Sequence, residues 1–393
     1  MRPMVIHADR LFTPFDEIQD AVIVVRGSKI SAVGKKGQVE TPRGVRATEF
    51  GGKIIVPGFV DLHIHGAGGR DVMEGTADAL DTVARTVATH GTTSLVATTV
   101  TASEKETCLS VAGIADYILE GRQHSPRDLS AEILGIHFEG PFISPTRRGV
   151  HPTKWIAAPS IEILGELLKK ARGTAQIITL APELPGALEL IASARQAGLV
   201  ISLGHTNATF EESSAAIEAG ATHAAHVYNA MRPFSHRETG VLGAVLTSSK
   251  VSAELIADGI HVDDAAMRML VGLKTPERVI LVSDGMSATG MPDGKYQLGL
   301  FEVKVAKGVA RNAEGKLAGS TLTLDCALRN MVALGVPFVD ALRMVTANPA
   351  RQIGLAARKG ILAVGADADI VLLNDQLEVA GVMTRGAGLG LSN

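Results

Sequence analysis

The chain has 393 residues, 46% apolar and 20% charged, with 38 Lys and Arg against 41 Asp and Glu and a net charge of −3. That length can bury a large core in one big domain or in two. The slightly negative balance excludes a nucleic-acid surface, which needs a basic field, so an anionic ligand would have to meet a local basic cluster.

In chain order, the opening Met1-Arg2-Pro3-Met4-Val5-Ile6-His7 lacks the apolar stretch of a secretory leader. Residues 1–57 are short alternating segments broken by turns, such as Ala21-Val22-Ile23-Val24-Val25-Arg26-Gly27, the texture of strands and hairpins. After Pro57-Gly58, apolar β-branched runs alternate with helical periods. The spacing predicts strands at 59–65, 93–99, 132–139, 176–181, 200–204, 222–226, 252–258 and 279–284. Helices are expected between them, among others at 77–89, 161–171, 210–219 and 263–272. Such alternation implies an α/β fold of the (β/α)8 barrel type, whose site lies at the C-terminal ends of the strands. Residues 296–318 interrupt the pattern as a β-hairpin insertion, and 321–334 and 339–347 read as closing helices. Strand texture returns at 365–373, and neither end of the chain can bury a face alone. The expected domains are therefore a small β-sandwich from 1–57 plus 355–393 and a catalytic barrel over 58–354. No window reaches the ~18 uninterrupted apolar residues of a membrane span. Cys108 and Cys326 lie far apart in helix-like segments and read as packed thiols of a reducing compartment, so a cytoplasmic protein is expected.

Six side chains close these apolar runs: His63 and His65 in Asp61-Leu62-His63-Ile64-His65-Gly66, then Glu139, His205, His226 and Asp284. Residues two apart on a strand share a face, so His63 and His65 point the same way with Asp61 one layer below. A lone His-x-His is a weak sign, but here it follows a barrel-type strand and precedes a sharp turn at Gly66. A carboxylate such as Glu139 at a strand end is costly unless paired by a salt bridge or bound to metal. Glu139, His205 and His226 make a Glu/His/His set suited to a catalytic zinc or iron with one position left for water. Asp284 is either a further ligand or the base that takes the water proton. His223 lies three before His226, and only His226 falls at the strand mouth. The fingerprints of dinucleotide and phosphate-loop binding are missing, as is the serine-nucleophile motif G-x-S-x-G. Arg232, His236 and Arg237 form the one basic cluster suited to an anionic substrate, unless they are simply a solvated loop.

With these residues placed, the chain resembles the amidohydrolase superfamily, and within it the deacetylases of N-acetyl amino-sugar 6-phosphates. The likeness runs from Pro57 through the tail. It rests on Pro57-Gly58-Phe59-Val60-Asp61-Leu62-His63-Ile64-His65-Gly66, His137-Phe138-Glu139-Gly140-Pro141-Phe142, His226-Val227-Tyr228-Asn229-Ala230-Met231, Ala257-Asp258-Gly259-Ile260-His261-Val262 and Ser283-Asp284-Gly285. The resemblance implies hydrolysis of the acetamide of N-acetylglucosamine 6-phosphate to glucosamine 6-phosphate and acetate. It implies a metal on Glu139, His205 and His226, with Asp284 as catalytic carboxylate and His151 polarising the acetyl carbonyl. It also implies phosphate-sugar contacts from Asn229, the Ala230 backbone, Arg237 and His261, with Arg237 crossing from the second subunit of a homodimer. Because His63 and His65 are present, a second ion bridged by Glu139 has ligands available. Other branches bridge two metals through a carbamylated lysine, and no lysine lies near a strand end here. The rivals on the same scaffold are a deacetylase of N-acetylgalactosamine 6-phosphate and an N-acyl amino acid hydrolase. A non-catalytic relative should have lost ligands, and every ligand position is filled.

Overall fold

The structure is a computed structural model and describes residues 3–121 and 128–389. Eight parallel strands follow one another in chain order around a single sheet. They are Phe59–Ile64, Thr92–Thr99, Glu132–Glu139, Ala175–Leu180, Val200–Leu203, Ala221–Ala224, Ser252–Leu255 and Val279–Leu281, referred to below as the first to the eighth. The last returns to the first: the Asp284 N–H donates to His63 O at 2.9 Å, the His65 N–H to Gly285 O at 2.7 Å, and Ile64 bridges Gly285 in parallel. The sheet is thus closed as a (β/α)8 barrel, as the alternation of runs predicts. The strands are buried along most of their length because helices cover the outer face and side chains fill the interior.

The helices stand where the 3.6-residue period places them: Ala77–Ala88, Ile161–Ala171, Phe210–Ala219 and Asp264–Lys274 among others. Thr76, Ser103, Ser160, Thr209 and Asp263 each cap a helix N-terminus, their side-chain oxygens accepting a backbone N–H of the first turn. Leu324–Ala333 and Phe338–Val345 close the ring, the first within the expected 321–334 and the second starting one residue before the expected 339–347. Among the described residues, no helix is long and apolar enough to cross a membrane.

The two chain ends build the second β unit together. Met4–Phe12, Glu17–Arg26, Lys29–Lys35 and Ala47–Pro57 come from the start, and Ile370–Leu373, Val379–Thr384 and Ala387–Gly388 from the tail. They form one seven-stranded sheet in which Ala47–Pro57 pairs with Met4–Phe12 on one side and with Ile370–Leu373 on the other. The sheet curls on itself, since Ile30 exchanges backbone hydrogen bonds with Ala366 and Gly365. Ile6, Ile23, Ile30, Ile55, Ile370 and Met383 fill the fold so made. The opposite side of Ala47–Pro57 gives Ile54 and Val56 to the barrel's own core.

The expected insertion is a three-stranded antiparallel sheet, Gly294–Leu298, Phe301–Ala306 and Val309–Arg311. It caps the barrel mouth through Leu298, Val303 and Val305 packed on Val100, Met286 and Ala288. Its first turn is fixed twice. The Gly299 N–H donates to Asp71 Oδ2 at 2.7 Å, and a Cβ on Gly299, whose φ is +55°, would stand 2.5 Å from Val100 Cγ2. Only glycine fits there.

Candidate metal centre

Five non-glycine residues at the barrel mouth have left-handed backbone: His205 (φ 46°), His226 (26°), Tyr228 (80°), Ala230 (50°) and Asp284 (47°). Such conformations cost about 1–3 kcal/mol each and persist only where the surroundings over-determine them. They mark the places where the chain leaves its strand abruptly and turns a polar side chain into the barrel. The eighth strand accordingly ends at Leu281, earlier than the expected 279–284, because the backbone bends before Asp284.

Around Glu139 the side chains converge. Its Oε1 lies 3.1 Å from His205 Nε2, 3.0 Å from His226 Nε2 and 3.2 Å from His63 Nε2. Its Oε2 lies 3.4 Å from His65 Nε2 and 3.3 Å from His151 Nε2. Asp284 Oδ1 stands 3.2 Å from His65 Nε2 and 3.7 Å from His63 Nε2. Burial would raise the Glu139 carboxyl, but the neighbouring His63 and His205 outweigh it and hold the group well below the usual carboxylate range.

The far nitrogens decide which atoms face inward. His63 Nδ1 donates to Glu254 Oε2 at 2.9 Å, His65 Nδ1 to Thr98 O at 2.9 Å and His205 Nδ1 to Arg147 O at 3.0 Å. With the proton fixed on Nδ1, a neutral ring presents a lone pair at Nε2. Burial pushes the His205 imidazole down to about 4, so its Nε2 is bare at neutral pH. A bare Nε2 then faces a carboxylate oxygen at 3.1 Å and the His226 Nε2 at 3.1 Å. A cation seated between these atoms would take all three as ligands. His63 Nε2 is fully buried without a hydrogen-bond partner, which also fits a ligand whose metal is not part of the structure. Glu139–His63–His226 and His63–His65–Asp284 are both sets whose donor atoms lie within 4.8 Å of one another.

His151 is wired the other way. The Thr101 backbone N–H donates to its Nδ1 at 3.2 Å, so the neutral ring carries its proton on Nε2, the atom that faces the cavity. It presents a donor where His63, His65 and His205 present acceptors. His137, although at the end of the third strand, is no ligand: both ring nitrogens are bonded, to Leu62 O at 3.2 Å and Thr179 Oγ1 at 2.7 Å. Burial, with the neighbouring His63 behind it, pushes His137 down to about 3. Asp61 lies below as expected and accepts the N–H groups of His63 and Ser283; burial pushes it up to about 6.

The cavity above these groups is lined by His65, Glu139, His151, His205, His226 and Asp284 at its floor. Asn229, Ala230 and His261 stand on one side, and Val100, Val150, Leu298 and Leu317 supply apolar walls. His261 is held by Asp258, whose Oδ2 accepts its Nδ1 proton at 2.7 Å. Arg237 is elsewhere. It is exposed and lines a separate cavity with Arg232, Glu238, Thr209 and Phe210. Arg232 pairs with Glu238 at 2.6 Å, and His236 is exposed beside them. Within one chain, therefore, the basic cluster does not meet the histidine cavity.

Sequence reasoning missed Glu254. It took the seventh strand to end at Asp258, which left Glu254 an interior residue, and nothing in a single apolar run shows which face a mid-strand carboxylate takes. The signal was present all the same: a carboxylate inside Val251-Ser252-Ala253-Glu254-Leu255-Ile256 faces the same desolvation cost that marked Glu139.

Comparison with known proteins agrees with this geometry. The amidohydrolase family model matches residues 54–387. N-acetylglucosamine-6-phosphate deacetylase of Lysinibacillus sphaericus is 38% identical over 342 residues, 85% of this chain and 85% of that protein. N-acetylgalactosamine-6-phosphate deacetylase of Escherichia coli O157:H7 is 37% identical over 97% of this chain and 98% of its own. Among solved structures, a mutant N-acetyl-D-glucosamine-6-phosphate deacetylase from Mycobacterium smegmatis, in complex with N-acetyl-D-glucosamine-6-phosphate, superimposes with a TM-score of 0.92 at 37% identity, covering 99% of each chain.

Proposed function

Since the chain belongs to the amidohydrolase family, we propose that it hydrolyses N-acetyl-D-glucosamine 6-phosphate to D-glucosamine 6-phosphate and acetate. The observation that carries this reading is the single cavity in which a Glu/His cluster, the Asp284 carboxylate and the inward Nε2–H of His151 meet Asn229 and His261. Glu139, His205 and His226 would hold a divalent ion; nitrogen and carboxylate donors suit zinc or iron. Such an ion supplies a Lewis acid that brings the pKa of water toward ~7 and polarises the acyl oxygen.

The chain's own groups do the rest. Asp284 takes the water proton and later delivers it to the departing amine. Burial would raise its carboxyl, but the neighbouring His65 and His63 outweigh it and hold the group below its usual value, so it is ionised and able to accept. His151 donates from Nε2 to the acetamide oxygen as negative charge builds there. His261, backed by Asp258, and the Asn229–Ala230 segment face the sugar phosphate. The half-buried free thiols Cys108 and Cys326 fit a cytoplasmic setting.

The test is acetate release from N-acetylglucosamine 6-phosphate, its galactosamine epimer and N-acetyl amino acids, with elemental analysis of the same protein. The epimer belongs in the panel because the Escherichia coli relative that carries its name matches almost the whole chain. Fastest turnover on the epimer or on an amino acid would displace the proposal.

His63 and His65 offer ligands for a second ion bridged by Glu139. Replacing both with Gln should lower metal content by one equivalent and leave some activity. Unchanged stoichiometry would mean that the Glu139, His205 and His226 ion is alone.

Arg237 projects on the loop after Pro233 and does not line the histidine cavity of its own chain, which supports a homodimer in which each site borrows the partner's arginine. Arg237→Ala should raise KM sharply, since a guanidinium that grips phosphate in two places is worth a few kcal/mol at most, about 3. Mixing this variant with an inactive Asp284→Asn protein should restore one complete site per heterodimer. If subunits exchange and no activity returns, the arginine does not act across an interface.

A further inference from the structure

Glu254 lies on the seventh strand, fully buried, and its one carboxylate accepts three hydrogen bonds. His63 Nδ1 donates to Oε2 at 2.9 Å, the backbone N–H of His226 to Oε2 at 3.0 Å, and His223 Nε2 to Oε1 at 2.8 Å. The first of these keeps the His63 proton on Nδ1 and so turns the lone pair of Nε2 toward Glu139. The second holds the peptide of His226 in the left-handed turn (φ 26°) that brings its own Nε2 to Glu139. One carboxylate beneath the site therefore sets a ligand of the first strand and a ligand of the sixth.

We propose that Glu254 is a positioning residue that couples the two halves of the metal-ligand set through these hydrogen bonds, by geometry rather than by its charge. The proposal rests on the reading that His63 and His65 serve a second ion.

Geometry and charge are separable because His223 Nδ1 is buried without a hydrogen-bond partner. In Glu254→Gln the amide oxygen can take the place of Oε2 and keep both His63 and His226. The amide NH2 then faces His223, whose ring proton is free to move to Nδ1 so that Nε2 accepts. Gln thus preserves every contact and loses the charge. Glu254→Asp does the reverse: it keeps the charge and withdraws the oxygens by about one C–C bond, ~1.5 Å, out of reach of His63.

The experiment is metal titration and elemental analysis of wild type, Glu254→Gln and Glu254→Asp after chelation and reloading with Zn2+. The expected result is a Gln protein that reloads two equivalents like wild type, and an Asp protein whose second equivalent binds about 10–100-fold more weakly, the usual cost of losing an outer-shell partner. A Gln protein as impaired as the Asp protein, or an Asp protein that keeps both ions at wild-type affinity, overturns the proposal alone. Should the Asp protein fail to fold, the Gln protein decides, and loss of its second equivalent overturns the proposal. A wild type unable to take up a second equivalent overturns the two-ion reading and the proposal with it.

Discussion

Asp284→Asn should bind substrate and metal normally and turn over at least ~10²-fold more slowly, the usual scale for losing a general base. The carboxylate stands at the cavity floor, 3.2 Å from His65 Nε2 and 3.7 Å from His63 Nε2. Its backbone is bonded from both sides: the N–H donates to His63 O at 2.9 Å and the carbonyl accepts from the Ser320 N–H at 2.7 Å. Asn is close to isosteric and keeps these backbone contacts, so the substitution removes a proton acceptor and little else. Turnover and metal content measured on the same sample check it. Near-normal turnover, or a protein without its metal, would take Asp284 out of the base role.

The second large effect is on stability and lies at the opposite end of the barrel. Lys359 is 1% exposed, and its Nζ reaches Glu132 Oε2 at 2.7 Å, Asp367 Oδ2 at 2.9 Å and Asp369 Oδ2 at 2.7 Å. Glu132 opens the third barrel strand, whereas Asp367 and Asp369 lead into the tail strand Ile370–Leu373, so one ammonium joins the barrel to the terminal sheet. Lys359→Met keeps the bulk and removes the ammonium that three buried carboxylates share. Arg358 still pairs with Glu132 and Asp367, but Asp369 is left with only the Arg385 N–H at 2.8 Å. Removing one partner of a buried ion pair typically costs about 3–5 kcal/mol. Urea unfolding of the metal-free protein should show a midpoint lowered to match; a shift equivalent to under ~1 kcal/mol would mean that water reaches the network.

The barrel was legible because strand-like runs alternate with helical periods and most of the runs close on a charged or histidine residue, a pattern that length and periodicity reveal without neighbours. His63, His65, Glu139, His205, His226 and Asp284 were all found this way, and the structure gathers them. Three things were not legible. The ring tautomers depend on Thr98, Thr101 and Arg147, partners remote in sequence. Glu254 lies inside a strand, and its face depends on a register that only the folded sheet sets. Arg237 lines a cavity apart from the histidines, and the residues of its loop do not by themselves show which cavity the loop meets. Each depends on contacts between distant segments, which local pattern marks at most through the cost of burying a carboxylate.

The terminal sheet has a consequence for how the protein is made. The strand Ala47–Pro57 finds one neighbour at once in Met4–Phe12, but its other edge pairs only with Ile370–Leu373. On a ribosome adding about 5–20 residues per second, that edge waits while about 300 residues are made, on the order of 15–60 s. Throughout that interval an apolar strand edge carrying Ile54, Ile55 and Val56 is open to any nascent chain nearby. The hazard of this architecture therefore falls during synthesis rather than after it, and a ribosome stalled before the tail releases a chain with a finished barrel and an unsealed seam.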